Sequence, residues 1–304
     1  MTNENFIYNQ TTLTTQAGKT SWSSPSNIAL VKYWGKKQDQ IPANPSLSFT
    51  LNNCKTITTV AYTPIQNNGS FQFDFLFEGK PKEDFKPKIN KFFDRIEKYC
   101  PYLKNFHFTI DSQNTFPHSS GIASSASGMS ALAMNIMSLE KMLHPEMTTA
   151  FFYQKASFLA RLGSGSACRS QKGEIVVWGK HKDFSESTDL HGIEFPFETH
   201  ANFKNYQDTI LLVDKGEKQV SSTVGHDLMH NHPFAQQRFD QAHTNLAALK
   251  NILQNGNLNE FIALVESEAL TLHAMMMTSM PYFILMKPNT LQIINKIWEY
   301  RKQT

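Results

Sequence analysis

A run of small residues from Pro117 to Gly128 is the feature that most constrains how this chain folds. Residues 105–112 before it alternate as in a strand, and residues 124–143 after it are apolar on most sides, as in a central helix. Small side chains let a ligand approach the backbone, and the free N–H groups and positive dipole at a helix start attract anions. The run lacks the Gly-Lys-Ser/Thr ending of a Walker loop, and such turns also occur as purely structural features. It predicts a site for anionic oxygens, phosphate above all.

Composition narrows the class of protein. The chain has 304 residues, 40% of them hydrophobic, which is enough for one large or two ordinary domains. A net charge of +3 without a basic block gives no reason to expect nucleic acid as a partner. Its three cysteines are few and widely spaced. They do not match the spacing of a metal site, and we predict that they are reduced thiols. No apolar run approaches the roughly 18 residues of a membrane span, and the polar N-terminus is no signal peptide. We therefore predict a soluble, cytoplasmic protein that does not enter the membrane.

Hydrophobic periodicity and turn chemistry predict the other elements. Alternating phenylalanines in residues 70–77 follow an Asn-Asn-Gly turn, so we predict a hairpin with residues 56–63. The run Ile210–Val213 predicts a buried strand over residues 207–214 that opens a second half of the fold. Asn257, with Glu260 three residues later, predicts a helix cap. Further helices are predicted over residues 85–99, 149–162 and 234–252, a strand over 173–179, and an arm over 1–20.

The histidines show no regular spacing that favours a metal site. His181, His191 and His200 are scattered through a loop-like region. His226 and His232, with another histidine between them, lie close to a proline, and we predict that they are surface loop residues.

Two further motifs stand out. The first is Pro-Ser-Asn-Ile-Ala-Leu-Val-Lys-Tyr-Trp-Gly-Lys at residues 25–36, which resembles a strand that delivers polar groups to a pocket. A buried strand with a solvated, lysine-rich end is the alternative. The second is Gly-Ser-Gly-Ser-Ala-Cys-Arg-Ser at residues 163–170.

Together with Gly121–Gly128, these motifs closely resemble the diphosphomevalonate decarboxylase family of the GHMP small-molecule kinase superfamily. Segments at residues 220–223 and 275–279 are similar to that family as well, so the resemblance runs from about Trp22 to the C-terminus. It implies an α+β, GHMP-kinase-like fold in two parts, one like ribosomal protein S5 domain 2 and one ferredoxin-like. The active site would lie in the cleft between an N-terminal part, 21–206, and a C-terminal part, 207–304, with 1–20 as an arm.

The resemblance implies a reaction in which ATP, with Mg²⁺, phosphorylates the 3-hydroxyl of (R)-5-diphosphomevalonate. Loss of phosphate and carbon dioxide then gives isopentenyl diphosphate, in the mevalonate route to isoprenoids. Substrate and nucleotide are both strongly anionic, so several cations must converge on them. Family members are often homodimers, which makes a homodimer a further expectation.

Site residues follow from the resemblance, motif by motif. Lys32 is implied beside the 3-hydroxyl and the transferred phosphoryl, Arg169 on the substrate carboxylate, and Asn27 as an orienting neighbour. Tyr33 and Lys36 are implied to hold the diphosphate. The implied substrate-binding residues are Tyr33, Trp34, Gly35, Lys36, Ser164, Gly165, Ser166, Ala167, Cys168 and Arg169, and the implied catalytic residues are Lys32, Asn27, Ser125 and Arg169.

The loop at residues 117–128 is implied to hold the nucleotide phosphates. Its implied ATP-binding residues are Pro117, Ser120, Gly121, Ala123, Ser124 and Ser125, with Ser125 also near the magnesium ion. A plain helix cap is the alternative for each serine. Either Lys86 or Lys88 is a candidate for an additional basic contact with the substrate.

One family feature is absent from the sequence. The essential aspartate of the family, in an Asp-Ala-Gly-type motif, follows a helix like residues 291–302, and the sequence ends at Thr304 before such a motif. We therefore expect the sequence to be part of a longer chain, or to have weak or no decarboxylase activity if it is whole. The alternatives are a kinase or decarboxylase of mevalonate or phosphomevalonate, and an inactive binding homologue.

Overall fold

The computed structural model describes residues 2–9, 16–117, 121–213 and 222–303. Its strands are β1 (Gly18–Val31), β2 (Ser46–Pro64), β3 (Gln72–Phe77), β4 (Lys80–Pro81), β5 (Phe106–Asn114), β6 (Ile175–Trp178) and β7 (Ile193–Glu194). Its helices are α1 (Lys86–Ile96), α2 (Ser124–Leu143), α3 (Thr149–Gly163), α4 (Ala201–Lys204), α5 (Ser222–Asp227), α6 (Ala235–Asn255), α7 (Leu258–Met277) and α8 (Pro288–Gln303). Short 3₁₀ turns include Gly165–Arg169, directly after α3.

The strands in these ranges form one mixed sheet in which β2 is central. Antiparallel β1 runs along one edge of β2, from Gly18 opposite Tyr62 to Val31 opposite Leu47. The other edge of β2 is shared, because β5 pairs with its second half and β6 with its first residues. β3 lies parallel to β5, and β4 follows it at the edge. The end of β1 and the strand β6, which follows the Gly165–Arg169 turn, therefore flank the same first residues of β2.

The predicted hairpin between residues 56–63 and 70–77 is wrong. Both segments are strands, but β5 lies between them, and β3 pairs with β5 in parallel. The local turn signal is genuine, since Asn67 accepts a hydrogen bond from the Gly69 backbone N–H. After this turn β3 does not pair with β2, because β5 occupies the position beside β2. There β5 buries Phe106, Phe108 and Ile110 between β2 and β3.

Two apolar cores pack against this sheet. The larger core joins α1, α2 and α3 to β5 and includes Phe92, Phe108 and Leu132. The smaller core joins the end of β1 and the start of β2 to α6 and α7, through residues such as Val31 and Leu246. The C-terminal end of β1 lies where these two cores meet.

The helical predictions are confirmed, and one strand prediction is wrong. α2 and α3 have almost the predicted limits, and Asn257 accepts a hydrogen bond from the Glu260 backbone N–H at 3.2 Å. Residues 207–213 of the predicted strand form no strand, and Leu211 is 58% exposed. An apolar run of that length is compatible with an uncovered segment as well as with a buried strand. Of the predicted arm, Asn3–Phe6 forms a 3₁₀ turn with Phe6 fully buried.

Candidate active site

The three sequence motifs meet around one cavity of about 270 Å³. The end of β1 supplies its floor, the N-terminus of α2 and the Gly163–Arg169 segment supply two walls, and α5 and α7 supply the remaining side. The lining residues are Asn27, Ala29, Lys32, Tyr33, Trp34, Lys36, Gln40, Lys88, Ala123, Ser125, Gly163, Ser164, Gly165, Ser166, Arg169, His226 and Leu272. Four of them are cationic, so the cavity suits an anionic ligand.

Arg169 is the most deeply buried of these cations, at 2% exposure. Its Nε donates to Ser48 Oγ at 3.0 Å, and its Nη1 donates to Ser46 Oγ at 2.5 Å. Its Nη2 donates to Asn27 Oδ1 at 3.3 Å, and the Asn27 amide in turn donates to Ser170. All of these acceptors are neutral. Burial lowers the pKa of the guanidinium, although the group remains charged at neutral pH.

A buried cation whose acceptors within the described ranges are all neutral favours an incoming anion. Desolvation of such a group is costly, and neutral hydroxyl and amide oxygens recover only part of that cost. The side chain also lies over the Trp178 ring at 5.7 Å, which fixes the plane of its fork. The arrangement is suited to a carboxylate that approaches from the cavity.

Tyr33 lies on the opposite wall and carries a buried hydroxyl without a hydrogen-bond partner in the described residues. Its ring packs edge-on against Trp178 at 4.7 Å and against the His226 ring at 4.2 Å. Burial raises the pKa of the phenol, so the hydroxyl is a neutral donor. A Cβ on Gly165 would lie 2.8 Å from that hydroxyl, so only glycine allows the two walls to come this close. The unpaired donor points to a ligand oxygen.

Lys32 and Lys36 bring two ammonium groups to the cavity from the segment after β1. Lys32 Nζ donates to the Ala29 carbonyl at 2.6 Å, and burial lowers the pKa of this lysine. Lys36 Nζ lies 3.1 Å from Asp227 Oδ1 on α5. Between them, Gly35 adopts a left-handed φ of +94°, which turns the chain back toward the cavity.

The N-terminus of α2 forms one wall of the cavity, through Ala123 and Ser125. Ala123 at the helix N-cap has φ +52°, and the backbone of Gly121 is also left-handed. The carbonyl of Ile122 accepts a hydrogen bond from Ser26 on β1, which anchors this turn to the sheet. Ser125 Oγ lies 3.4 Å from Ser164 Oγ, so the α2 loop and the Gly-Ser-Gly-Ser motif are in direct contact.

A second, largely apolar cavity of about 110 Å³ continues from this point. It shares Ser125 and Lys88 with the first cavity and reaches between α1, α2 and β3. Ser124 lines this second cavity only. Lys88, one of the two predicted additional lysines, therefore lies at the junction, whereas Lys86 pairs with Glu83 at 2.9 Å.

Not every predicted residue reaches the cavity. Ala167 and Cys168 are buried behind the wall, and burial raises the pKa of the Cys168 thiol to about 12. Pro117 is exposed at the start of the loop. Ser120 lies outside the described residues.

The prediction that the histidines near residue 230 are surface loop residues is wrong for two of them. His226 lies in α5 and lines the cavity, and its Nδ1 accepts the Gly35 backbone N–H at 3.1 Å. His232 is 6% exposed and is hydrogen bonded to the Met275 carbonyl. The spacing of the histidines in the sequence does not indicate either role, because both roles depend on how α5 and α7 pack against the turn at residues 32–36 that follows β1. A Cβ on Gly225 would collide with the Trp34 ring, so α5 packs tightly against this turn.

Two absences concern metals and membranes. In the ranges that the structure describes, no three His, Cys, Asp or Glu side chains are grouped so that they could hold a metal ion. No described helix combines the length and the apolar character needed to cross a membrane.

Comparison with known proteins shows the family. Residues 24–189 match the family model for a diphosphomevalonate decarboxylase-like N-terminal domain. Residues 209–304 match that for a mevalonate 5-diphosphate decarboxylase C-terminal domain. The diphosphomevalonate decarboxylase of Ganoderma lucidum is 28% identical over 92% of this chain and 71% of its own length. That of Saccharomyces cerevisiae is 32% identical over 68% of this chain, and the match spans about half, 52%, of its length.

Solved structures give the same result for the fold. Mevalonate diphosphate decarboxylase from Staphylococcus aureus is 26% identical with a TM-score of 0.77, over 95% of this chain and 83% of that one. The enzyme from Legionella pneumophila is 26% identical with a TM-score of 0.74, over 94% and 87%. A further relative, MDDEF, was solved with MVAPP, AMPPCP and magnesium; it is 27% identical with a TM-score of 0.73, over 94% and 83%. The predicted GHMP-kinase-like fold is thus confirmed, and the chain belongs to the diphosphomevalonate decarboxylase family.

Proposed function

We propose that this protein binds (R)-5-diphosphomevalonate and ATP in the cavity and converts them to isopentenyl diphosphate, ADP, phosphate and carbon dioxide. The observation that carries the proposal is the buried Arg169 guanidinium, which faces a cationic cavity and has only neutral acceptors among the described residues. A substrate with a carboxylate at one end and a diphosphate at the other matches that distribution of charge.

The carboxylate end of the substrate belongs at Arg169. A guanidinium fork can bind both carboxylate oxygens, and its remaining N–H groups are already fixed by Ser46, Ser48 and Asn27. Asn27 thereby acts as an orienting residue, and Ser164 and Ser166 lie on the same wall.

The diphosphate end belongs at Tyr33 and Lys36. The Tyr33 hydroxyl is a buried donor without a partner among the described residues. Lys36 adds a charge that Asp227 offsets only at the exposed rim, since the Asp227 side chain is 52% exposed. Ligand phosphate competes well for such a lysine because a rim ion pair contributes little free energy.

ATP fits the α2 side of the cavity. The Ser124 and Ser125 hydroxyls and the first N–H groups of α2 are suited to the β- and γ-phosphates, and the apolar second cavity is suited to the base. A magnesium ion bound with the triphosphate is compatible with Ser125, because magnesium is commonly held by phosphate oxygens and one protein oxygen. The ion would neutralise charge that develops on the transferred group.

Lys32 completes the arrangement between the two ligands. The γ-phosphoryl group passes from ATP to the 3-hydroxyl oxygen of the substrate, ADP leaves with the electron pair of the broken P–O bond, and the hydroxyl proton passes to water. The ammonium group of Lys32 stabilises the charge that develops on the transferred group. In the second step the C3–O bond breaks and phosphate leaves with that electron pair. The bond from the neighbouring carbon to the carboxylate then breaks, its electrons form the new double bond, and carbon dioxide departs.

Three other features are proposals as well. A division near residue 207 is supported by the family matches, which cover 24–189 and 209–304 separately. A cytoplasmic location and a homodimer rest on the family alone.

The test uses the full-length protein with ATP, magnesium and each of mevalonate, phosphomevalonate and diphosphomevalonate, while ADP and carbon dioxide are measured together. We expect equal amounts of ADP and carbon dioxide with diphosphomevalonate only. ADP without carbon dioxide would show a kinase instead. Binding of both ligands without either product would show a non-catalytic homologue.

A further inference from the structure

A fully buried ion pair joins the two long helices α6 and α7 directly beneath the cavity. Arg238 Nη2 lies 2.6 Å from Glu268 Oε2, and Arg238 Nη1 donates to Glu268 Oε1 at 3.1 Å. Both side chains have 0% exposure. Asn245 donates to the same Glu268 oxygen Oε1 at 2.6 Å, so both carboxylate oxygens have donors. Neither charged residue lines the cavity, and neither belongs to a motif.

The pair is built around the backbone of one residue, Lys32. The Lys32 N–H donates to Glu268 Oε2 at 2.9 Å, and the Lys32 carbonyl accepts from Arg238 Nη2 at 3.3 Å. Asn44 donates to the same carbonyl at 2.9 Å. Both polar backbone groups of Lys32 are therefore fixed by ionised side chains from the C-terminal helices, although Lys32 itself follows β1 in the N-terminal half.

We propose that Arg238 and Glu268 are positioning residues that hold the Lys32 side chain at the reacting centre. The inference rests on the proposed function, since it assumes that Lys32 acts on the transferred phosphoryl group. Hydrogen bonds to ionised groups are directional, so the two on the Lys32 backbone, at 2.9 and 3.3 Å, define where its Cα–Cβ bond points. A small error in that direction has a large effect on rate, since misplacement by about 1 Å costs roughly 10²-fold.

A purely structural role explains the pair less well. Buried ion pairs contribute little to stability compared with apolar residues of the same size, because desolvation offsets their attraction. The buried Lys155–Glu140 pair, with atoms 2.6 Å apart, has no contact with the cavity and shows what a pair inside the larger core looks like. The Arg238–Glu268 pair differs because it meets the chain at the residue with the proposed catalytic ammonium group.

The electrostatics around Lys32 give the proposal a specific readout. Burial lowers the pKa of Lys32, Glu268 raises it, and Arg169 and Arg238 lower it further. The charged or titratable groups that face Lys32 from the surrounding elements are Arg169, Asp208, Arg238, Glu268 and His273. Neutralising Glu268 removes an attraction for the ammonium proton, whereas neutralising Arg238 removes a repulsion. The two changes must therefore move the pKa of Lys32 in opposite directions.

The experiment measures Lys32 directly. Trace acetylation with acetic anhydride across a pH series, followed by mass spectrometry, reports the titration of each lysine amine without requiring turnover. We expect the Lys32 titration to move to lower pH in Glu268→Gln and to higher pH in Arg238→Gln. Glu266→Gln is the matched control, because Glu266 lies on the same helix but pairs at the surface with Arg301. Its Lys32 titration should be that of the wild type.

Kinetics of the full-length protein complete the test. We expect kcat to fall about 10²-fold in both single variants with a smaller change in KM, and the alkaline limb of the kcat profile to follow the acetylation shifts. Arg238→Lys retains the charge and loses the fork, so it should lower kcat without moving the limb. If Arg238→Gln does not fold, Arg238→Lys and Glu268→Gln carry the test.

The two hypotheses fail separately. A folded wild-type protein without turnover would overturn the proposed function. An active wild type in which both folded variants retain its kcat and its Lys32 titration would overturn the positioning role. Shifts of the same sign in both variants would do so as well, because a general loosening of the fold moves both in one direction.

Discussion

Two buried arginines flank Lys32, and their partners differ. Arg169 and Arg238 are each 2% exposed. Arg238 has a carboxylate partner, Glu268, whereas the described acceptors of Arg169 are two serine hydroxyls and an amide oxygen. A buried charge is stable when an opposite charge meets it inside the protein. The difference indicates that the charge of Arg238 is used within the fold and that the charge of Arg169 is reserved for a ligand.

A third buried arginine shows that a missing carboxylate alone is not sufficient. Arg161 is 1% exposed and donates to the backbone carbonyls of Leu190 and Asp39. It does not line the cavity, however, and its two carbonyl partners link loops at residues 38–40 and 190. Of these three arginines, only Arg169 combines neutral partners in the described residues with access to the candidate active site.

The largest expected effect is on activity, from Arg169→Gln. Loss of the guanidinium removes the contact with the substrate carboxylate. We therefore expect kcat/KM for diphosphomevalonate to fall by about 10²-fold or more, as is typical when a hydrogen-bond donor that stabilises charge is removed. ATP affinity should change little, because in the proposed assignment Arg169 binds the substrate carboxylate and does not bind the nucleotide. Steady-state kinetics and nucleotide titration measure the two quantities. A variant with wild-type kcat/KM would remove the central support for the proposed function.

The next effect is on the free energy of unfolding, and here Arg238 should matter more than Arg169. Arg238→Gln leaves Glu268 buried without its partner, and we expect the free energy of unfolding to fall by about 3–5 kcal/mol. Arg169→Gln removes a costly buried charge together with its neutral hydrogen bonds, so its loss should be clearly smaller. Urea unfolding of both variants at one pH gives the two values. Equal losses would show that the two arginines serve the same structural purpose.

The sequence contained the information for one arginine and not for the other. Arg169 lies in a Gly-Ser-rich motif, and its role follows from a family resemblance. Arg238 and Glu268 are 30 positions apart on different helices and belong to no motif. Their signal is weaker: Arg238 precedes Ala242, Leu246 and Leu249 on the apolar stripe of α6, where an arginine is out of place. A charge on a core-facing stripe indicates a buried partner, but the stripe does not identify it.

The same limit explains the wrong fold predictions. The Asn-Asn-Gly turn and the phenylalanines after it are local signals, and they correctly predict a turn followed by a strand. Which strand pairs with β3 depends on β5, which begins only after the whole of α1 has intervened and forms a better-packed neighbour. The helices were predicted more accurately, because periodicity and the Asn257 cap are properties of the helix itself.

A pH-dependent effect follows from the lowered pKa of Lys32. Burial disfavours its charged form in the folded state, so the unfolded chain binds this proton more tightly and stability is reduced below the folded-state pKa. Lys32→Met should therefore raise Tm at neutral pH. The gain in Tm should shrink as the pH rises through the unfolded-state pKa of lysine, above which the wild-type side chain is neutral in both states. Thermal unfolding of both proteins across that range is the measurement. A gain that is constant with pH would assign the effect to packing and not to charge.

A smaller effect is expected where the two walls of the cavity meet. In Gly165→Ala the new methyl group would lie 2.8 Å from the Tyr33 hydroxyl, so the phenol must move away from its ligand position. We expect KM for diphosphomevalonate to rise about tenfold, which corresponds to the loss of roughly one hydrogen bond, about 1.4 kcal/mol. Gly163→Ala provides no clean control, because a methyl group there would meet Met129 at 2.7 Å. Tyr33→Phe is the better one, since it removes only the hydroxyl. Its KM should match that of Gly165→Ala if the hydroxyl is the group displaced.

The smallest effect is expected for His226, which lines the cavity from α5 and contacts the segment after β1. Its Nδ1 accepts the Gly35 N–H, so the neutral ring must carry its proton on Nε2, and the ring packs against Tyr33 and Trp34. His226→Phe keeps a ring of similar size and removes one neutral hydrogen bond, whose net contribution is about 1 kcal/mol. We therefore expect KM to rise a few-fold with kcat unchanged. A large fall in kcat would instead place His226 in contact with the reacting groups, and the division between a ligand-binding Arg169 and a supporting C-terminal half would then have to be redrawn at α5.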